Sequence, residues 1–141
     1  MPHDLASRLP PELHSLALVT LTTALMWIPY LLARVLAHGL WPALANPPLA
    51  PPAIRPWADR AKRAHANAVE NLAVFAPLLL TASAIGAADA TVVLAAQAYL
   101  VARVVHYVVY VFGIPIARTL AFLCGFAATL VVAWRILGMA A

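Results

Sequence analysis

Four apolar runs, each over 20 residues long, cover most of the chain. They fall at about Leu13–Ala37, Ala64–Gly86, Ala90–Phe112 and Ile116–Leu137. A helix needs roughly 20 apolar residues to cross the hydrocarbon core of a bilayer. Backbone groups in lipid must be bonded internally, so a spanning segment is a helix or part of a closed barrel. The runs show none of the period-2 alternation that barrel strands need. The expected fold class is an all-α integral membrane protein, with residues 1–141 forming a single four-span domain.

Composition removes the soluble alternatives. Only 10% of the 141 residues are charged and 65% are hydrophobic, against about 25% and about 45–50% in ordinary soluble domains. A soluble body of this size would expose far too much apolar surface. Nine basic residues and a net charge of +4 are too few and too scattered to track phosphates, so no nucleic-acid partner is expected. Cys124 is the single cysteine, which excludes an intrachain disulfide. Its apolar setting reads as packing, not as a nucleophile. His38, His65 and His106 share no metal-ligand spacing, so no metal is expected.

The breaks between runs set the topology. Gly86 is placed to end the second helix and Asp89 to cap the third. Gly113 and Pro115 separate the third from the fourth in the same way. Such short turns make successive helices antiparallel neighbours, giving an antiparallel four-helix transmembrane bundle. The first connection is different. His38 to Asp59 holds six of the twelve prolines and reads as a semi-extended loop. Pro29 and Pro77 lie inside spans one and two and are expected to kink them.

Basic residues set the orientation. Arg34, Arg55, Arg60, Lys62 and Arg63 flank the first loop and Arg118 the third, against Arg8 and Arg135 on the other side. The positive-inside rule then places loops one and three in the cytoplasm and both termini outside. The segment before span one carries Asp4 and Glu12 and no net positive charge, which disfavours a cleaved signal peptide.

Ionisable groups inside a span are costly and point to function. Arg63, Asn67 and Glu70 follow i, i+4, i+7, so they share one face of span two. A cation, an amide and a carboxylate in that order suit a small zwitterionic ligand. The same residues would also serve as a snorkelling helix start with an internal ion pair. Span three carries a second stripe, Tyr99, Arg103, Tyr107 and Tyr110, with His106 at its edge. Arg103 lies deep in its span and needs a partner. Glu70 reads as the one carboxylate inside any span, so the two are expected to lie close.

At these residues the chain resembles the MAPEG superfamily, the membrane-associated proteins of eicosanoid and glutathione metabolism. The run from Arg60 to Asn71 is similar to that family's R-x-x-R-A-x-x-N-x-x-E-N signature, and Ala102 to Tyr110 to its A-R-x-x-(H/Y)-x-x-x-Y run. Arg118 follows a Gly/Pro turn where family members place a basic residue. Asn71 stands where leukotriene-synthase-like members carry Tyr, and the turn before Arg118 is shorter than in the mammalian microsomal enzymes.

The resemblance implies a homotrimer in a bacterial inner membrane, with glutathione as co-substrate at the subunit interface. It assigns glutathione contacts to Arg63, Asn67, Glu70 and Arg103, with His65 beside them. Arg34 would reach in from the neighbouring subunit. Arg118 and Tyr110 would be catalytic, steadying the thiolate. The implied function is a glutathione-dependent transferase or peroxidase acting on lipophilic electrophiles. The alternative is a non-catalytic trimeric scaffold or small-solute binder of the same fold.

Overall fold

The computed structural model describes residues 9–46 and 54–139. Among these the chain is helical apart from short turns. The helices are α1 (Pro11–Leu25), α2 (Ile28–His38), α3 (Leu40–Leu44), α4 (Pro56–Ala84), α5 (Ala90–Phe112) and α6 (Pro115–Met139). Four stretches are long and apolar enough to cross a membrane: Pro11–His38, built from α1 and α2, then Pro56–Ala84, Ala90–Phe112 and Pro115–Gly138. The fold is all-α and four-span, as the apolar runs imply.

Both hairpins close through the same local chemistry. After α4, the chain takes φ +74° at Gly86. Ala87 N–H then reaches back to the Ala82 carbonyl at 2.8 Å and Gly86 N–H to Ser83 at 3.3 Å. After α5, Gly113 has φ +76°, with Ile114 N–H on the Val109 carbonyl and Gly113 N–H on Tyr110, both at 3.0 Å. This is the Schellman closure, in which a residue without Cβ carries the left-handed turn and orphan carbonyls are satisfied. Asp89 starts α5 as expected: its Oδ1 accepts from the Thr91 and Val92 N–H groups at 3.1 Å each. The Val92 bond foremost, with help from Arg135 and against partial desolvation, holds the Asp89 carboxyl below its ordinary pKa.

The proline-rich connection is shorter than the sequence suggests. A turn of helix, α3, follows Gly39 and contains Pro42. At the other end α4 begins at Pro56, well before Ala64. Pro56 lies in the first turn, where its missing N–H has no intrahelical partner to lose. Pro47, Pro48, Pro51 and Pro52 lie outside the described residues. Pro29 does interrupt its span: α1 and α2 are separated at Met26–Trp27. The Met26 carbonyl at this break accepts the Tyr107 hydroxyl at 2.9 Å, so a freed backbone group is met by a neighbouring helix. α4 passes Pro77 as one helix.

Helix α5 is the hub, packing on α1, α4 and α6. At its centre the Phe75 and Tyr99 rings stack at 3.7 Å with an interplanar angle of 4°. Leu79, Val92, Val132 and Val19 close around them. Along the first half of α4, Ala58, Ala61, Ala64 and Ala68 are all buried. Small side chains of this kind let helices approach closely where lipid, not water, is the competing solvent. Leu36, Trp41, Leu94, Phe112 and Trp134 point outward. Cys124 also faces outward, on the exposed side of α6, and does not pack within the chain.

Glu12 corrects the count of carboxylates within spans. It sits in the first turn of α1, is only 5% exposed, and accepts the Ser83 hydroxyl at 3.2 Å. Its position near the helix start makes it resemble a terminal residue in sequence, while packing against α4 buries it.

Candidate functional site

Three helices each supply an i, i+4 pair to one cavity. Arg63 and Asn67 come from α4, His106 and Tyr110 from α5, Arg118 and Phe122 from α6, with Thr119 between the last two. The cavity measures about 240 Å³. It lies at the end of the bundle where α4 starts, α5 finishes and α6 starts.

The side chains order one another. The Arg118 guanidinium carbon sits 4.6 Å from the Tyr110 ring centroid, a cation–π contact. The His106 ring meets Tyr110 edge-on at 5.5 Å and 78°. His106 is buried, with Phe122 at 6.3 Å on another side. The Arg118 cation is thereby held against an aromatic face at the rim of a half-apolar pocket. Such a setting strengthens its field on anything charged beside it.

Arg103 lies behind this wall and is 1% exposed. The expected ion pair with Glu70 does not form. One guanidinium nitrogen donates to Asn67 Oδ1 at 3.3 Å and another to the Phe122 carbonyl at 3.2 Å. The Tyr99 and Phe122 rings flank the cation at 5.3 and 5.4 Å. Neutral dipoles and aromatic faces thus take the place of a carboxylate. Gly125 makes the space: a Cβ there would fall 2.4 Å from Arg103 Nη2.

Glu70 is exposed and lines a second cleft of about 250 Å³ with Asn71, Val74, Phe126 and Thr129. Phe122 borders both spaces. His65 turns away from them. Its Nδ1 shares a 2.9 Å hydrogen bond with the Tyr30 hydroxyl on α2. Arg34, half-buried on α2, lines neither space within one chain. The sequence reading missed Thr119, Phe122 and Gly125. Phe122 stands one helical turn after Arg118, so continuing that residue's face along α6 would have found it.

Arg60, from the same motif, is structural. Its Nε donates to the Val111 carbonyl at 2.9 Å, meeting an orphan acceptor at the negative end of α5. Arg60→Ala is expected to cost about 1 kcal/mol, read as a lower unfolding temperature in detergent with the cavity residues unchanged. An unshifted temperature would show that the bond contributes nothing.

The comparisons with known proteins agree with this architecture. The family model of the MAPEG family matches residues 14–138. No curated protein and no solved structure matches the chain. A match over nearly the whole length, on four apolar helices of membrane-spanning size, leaves a plain conclusion: the chain is an integral membrane protein and belongs to the MAPEG family, the membrane proteins of eicosanoid and glutathione metabolism.

Proposed function

We propose that this chain is a glutathione-dependent transferase or peroxidase acting on lipophilic electrophiles, as a homotrimer in a bacterial inner membrane. The observation that carries the reading is the convergence of Arg63, Asn67, Tyr110 and Arg118 on one cavity. At about 240 Å³ that cavity is small, and ligand pockets commonly measure roughly 300–1,000 Å³. With the adjoining Glu70 cleft of about 250 Å³ the space suits a tripeptide. Arg63 would hold a carboxylate, Asn67 a peptide group and Glu70 the ammonium across Phe122. Arg103 fixes the Asn67 amide from behind.

A thiol with a pKa of about 8.5 is only a few per cent thiolate at pH 7. A guanidinium within roughly 4–6 Å shifts a neighbouring pKa by about 1–3 units. A shift of about 2 units is worth about 2.7 kcal/mol and makes the thiolate the main species. Arg118 takes that role, and the Tyr110 hydroxyl donates a hydrogen bond to the sulfur. The electrophile enters from the bilayer.

Glu70 supports a subunit-interface site. Exposed on a spanning helix, a carboxylate costs several kcal/mol against lipid, and a second copy would cover it and bring Arg34 within reach. The basic first loop and Arg118 support a cytoplasmic cavity end, with the termini outside. The rival reading is a trimeric scaffold or thiol binder without catalysis. It draws on Arg60, Arg103 and His65, whose polar groups are committed to bonds within the chain.

Titration of the detergent-solubilised oligomer with glutathione separates these readings. Ultraviolet absorbance that grows with bound glutathione at pH 7, the sign of thiolate, is expected. Saturable binding without that absorbance would leave a binder. No binding by an intact oligomer would leave a scaffold.

A further inference from the structure

At the end of the bundle opposite the cavity, α5 begins and α6 finishes side by side. A groove of about 640 Å³ opens along the end of α6 and reaches Thr91 in the first turn of α5. Leu130, Val131, Trp134 and Leu137 give it apolar walls, while Thr91 and Arg135 mark its polar rim. Trp134 is 75% exposed, in the position where indole rings meet the headgroup layer.

The rim carries the one ion pair among the described residues, Arg135 with Asp89. Both side chains remain open, at 45% and 40% exposure. A carboxylate offers about four acceptor positions and a guanidinium five donors. Asp89 Oδ1 takes the Thr91 and Val92 N–H groups, and Oδ2 takes Arg135 Nη2. One position on Oδ2 is left, and Arg135 keeps donors beyond the one facing Asp89. A spare acceptor on an anion thus sits next to spare donors on a cation, directly above an apolar groove.

We propose that this is a binding site for a zwitterionic phospholipid with a primary-amine headgroup. The phosphate meets the planar fork of Arg135, which matches its geometry. The ammonium donates to Asp89 Oδ2, and one acyl chain lies in the groove. Charge complementarity selects this headgroup. Asp89 repels a purely anionic lipid, and a choline headgroup has no N–H to offer Oδ2. The site is independent of the cavity at the other end, so it stands whether or not the chain uses glutathione.

The test is retention of lipid through delipidation, counted by native mass spectrometry on the purified oligomer. The protein is reconstituted in turn from vesicles of phosphatidylethanolamine, phosphatidylcholine and phosphatidylglycerol. The wild type is expected to retain phosphatidylethanolamine about tenfold over phosphatidylcholine, equivalent to about 1.4 kcal/mol. Asp89→Asn keeps a good helix cap, so α5 still starts there. It removes the anion and frees Arg135, and the preference should pass to phosphatidylglycerol. Arg135→Gln should lose retention of all three, with circular dichroism confirming an unchanged helix content. Equal retention of the ethanolamine and choline lipids by the wild type would mean an unselective annulus and overturn the proposal. So would an Asp89→Asn variant with an unaltered preference. Retention of no lipid at all, as when another copy covers the groove, would also overturn it.

Discussion

Arg118→Ala is expected to lower the thiolate absorbance of bound glutathione more than tenfold at pH 7, while glutathione affinity changes far less. The effect is large because the cation acts on the charged form alone. A thiol returned to its ordinary pKa of about 8.5 is a few per cent ionised, against a majority when the pKa stands about 2 units lower. Binding should survive because, in the proposed site, Arg63, Asn67 and Glu70 would hold other parts of the tripeptide. Arg118→Lys keeps the charge but loses the flat contact with Tyr110 seen at 4.6 Å, so an intermediate absorbance is expected. Tyr110→Phe keeps the ring that positions Arg118 and removes only the hydroxyl. Its loss should be a few-fold, in line with one hydrogen bond to a charged group. An Arg118→Ala protein that still forms thiolate at pH 7 would take the role from this residue.

Gly125→Ala should be the most destabilising single methyl addition in the bundle. The new Cβ would lie 2.4 Å from Arg103 Nη2, 2.8 Å from Nε and 3.0 Å from Cζ. Side-chain ends usually move aside, but Arg103 is 1% exposed and is held by Asn67 and the Phe122 carbonyl. Moving it breaks both bonds around a buried cation. Overpacking costs about 1–3 kcal/mol, and stranding a buried charge about 3–5 kcal/mol. A loss of about 3 kcal/mol is expected, measured by thermal unfolding in detergent. The cause can be isolated with a double-mutant cycle. In an Arg103→Ala background the same methyl meets empty space, and Gly125→Ala should then cost little. Additive losses would show that the glycine serves something other than Arg103.

These two positions also show what a sequence can and cannot reveal. The spans were legible because lipid imposes a length, and the turns because Gly86, Asp89 and Gly113 are chemically suited to single backbone tasks. Arg63 and Asn67 were legible as one face because helical spacing is local, and the structure does bring them to one cavity with Tyr110 and Arg118. The partner of Arg103 was not. Counting charges points to Glu70, yet the guanidinium reaches α4 one turn earlier, at Asn67, and its two terminal nitrogens meet dipoles between two rings while Nε has no partner among the described residues. Which acceptor an arginine finds depends on helix rotation and depth, and neither is written in spacing. Gly125 was invisible for a similar reason: a glycine inside an apolar helix gives no sign of the group that fills its missing volume. His65 shares its motif with Arg63 but not its face, and its bond to Tyr30 depends on where α2 lies after the break.

That break divides the first span into parts of unequal stiffness. Above Met26, α1 buries Glu12, Ser15, Leu16, Val19 and Thr23 against its neighbours. Below it, α2 buries Ala33 alone. Within one chain, the lower part is fastened by its packing on α4 and by two phenol hydroxyls, Tyr107 on the Met26 carbonyl and Tyr30 on His65. Each such bond is worth roughly 0.5–1.5 kcal/mol, whereas lifting the upper part away would uncover the core. A force on this span therefore meets a rigid arm above the pivot and a compliant one below.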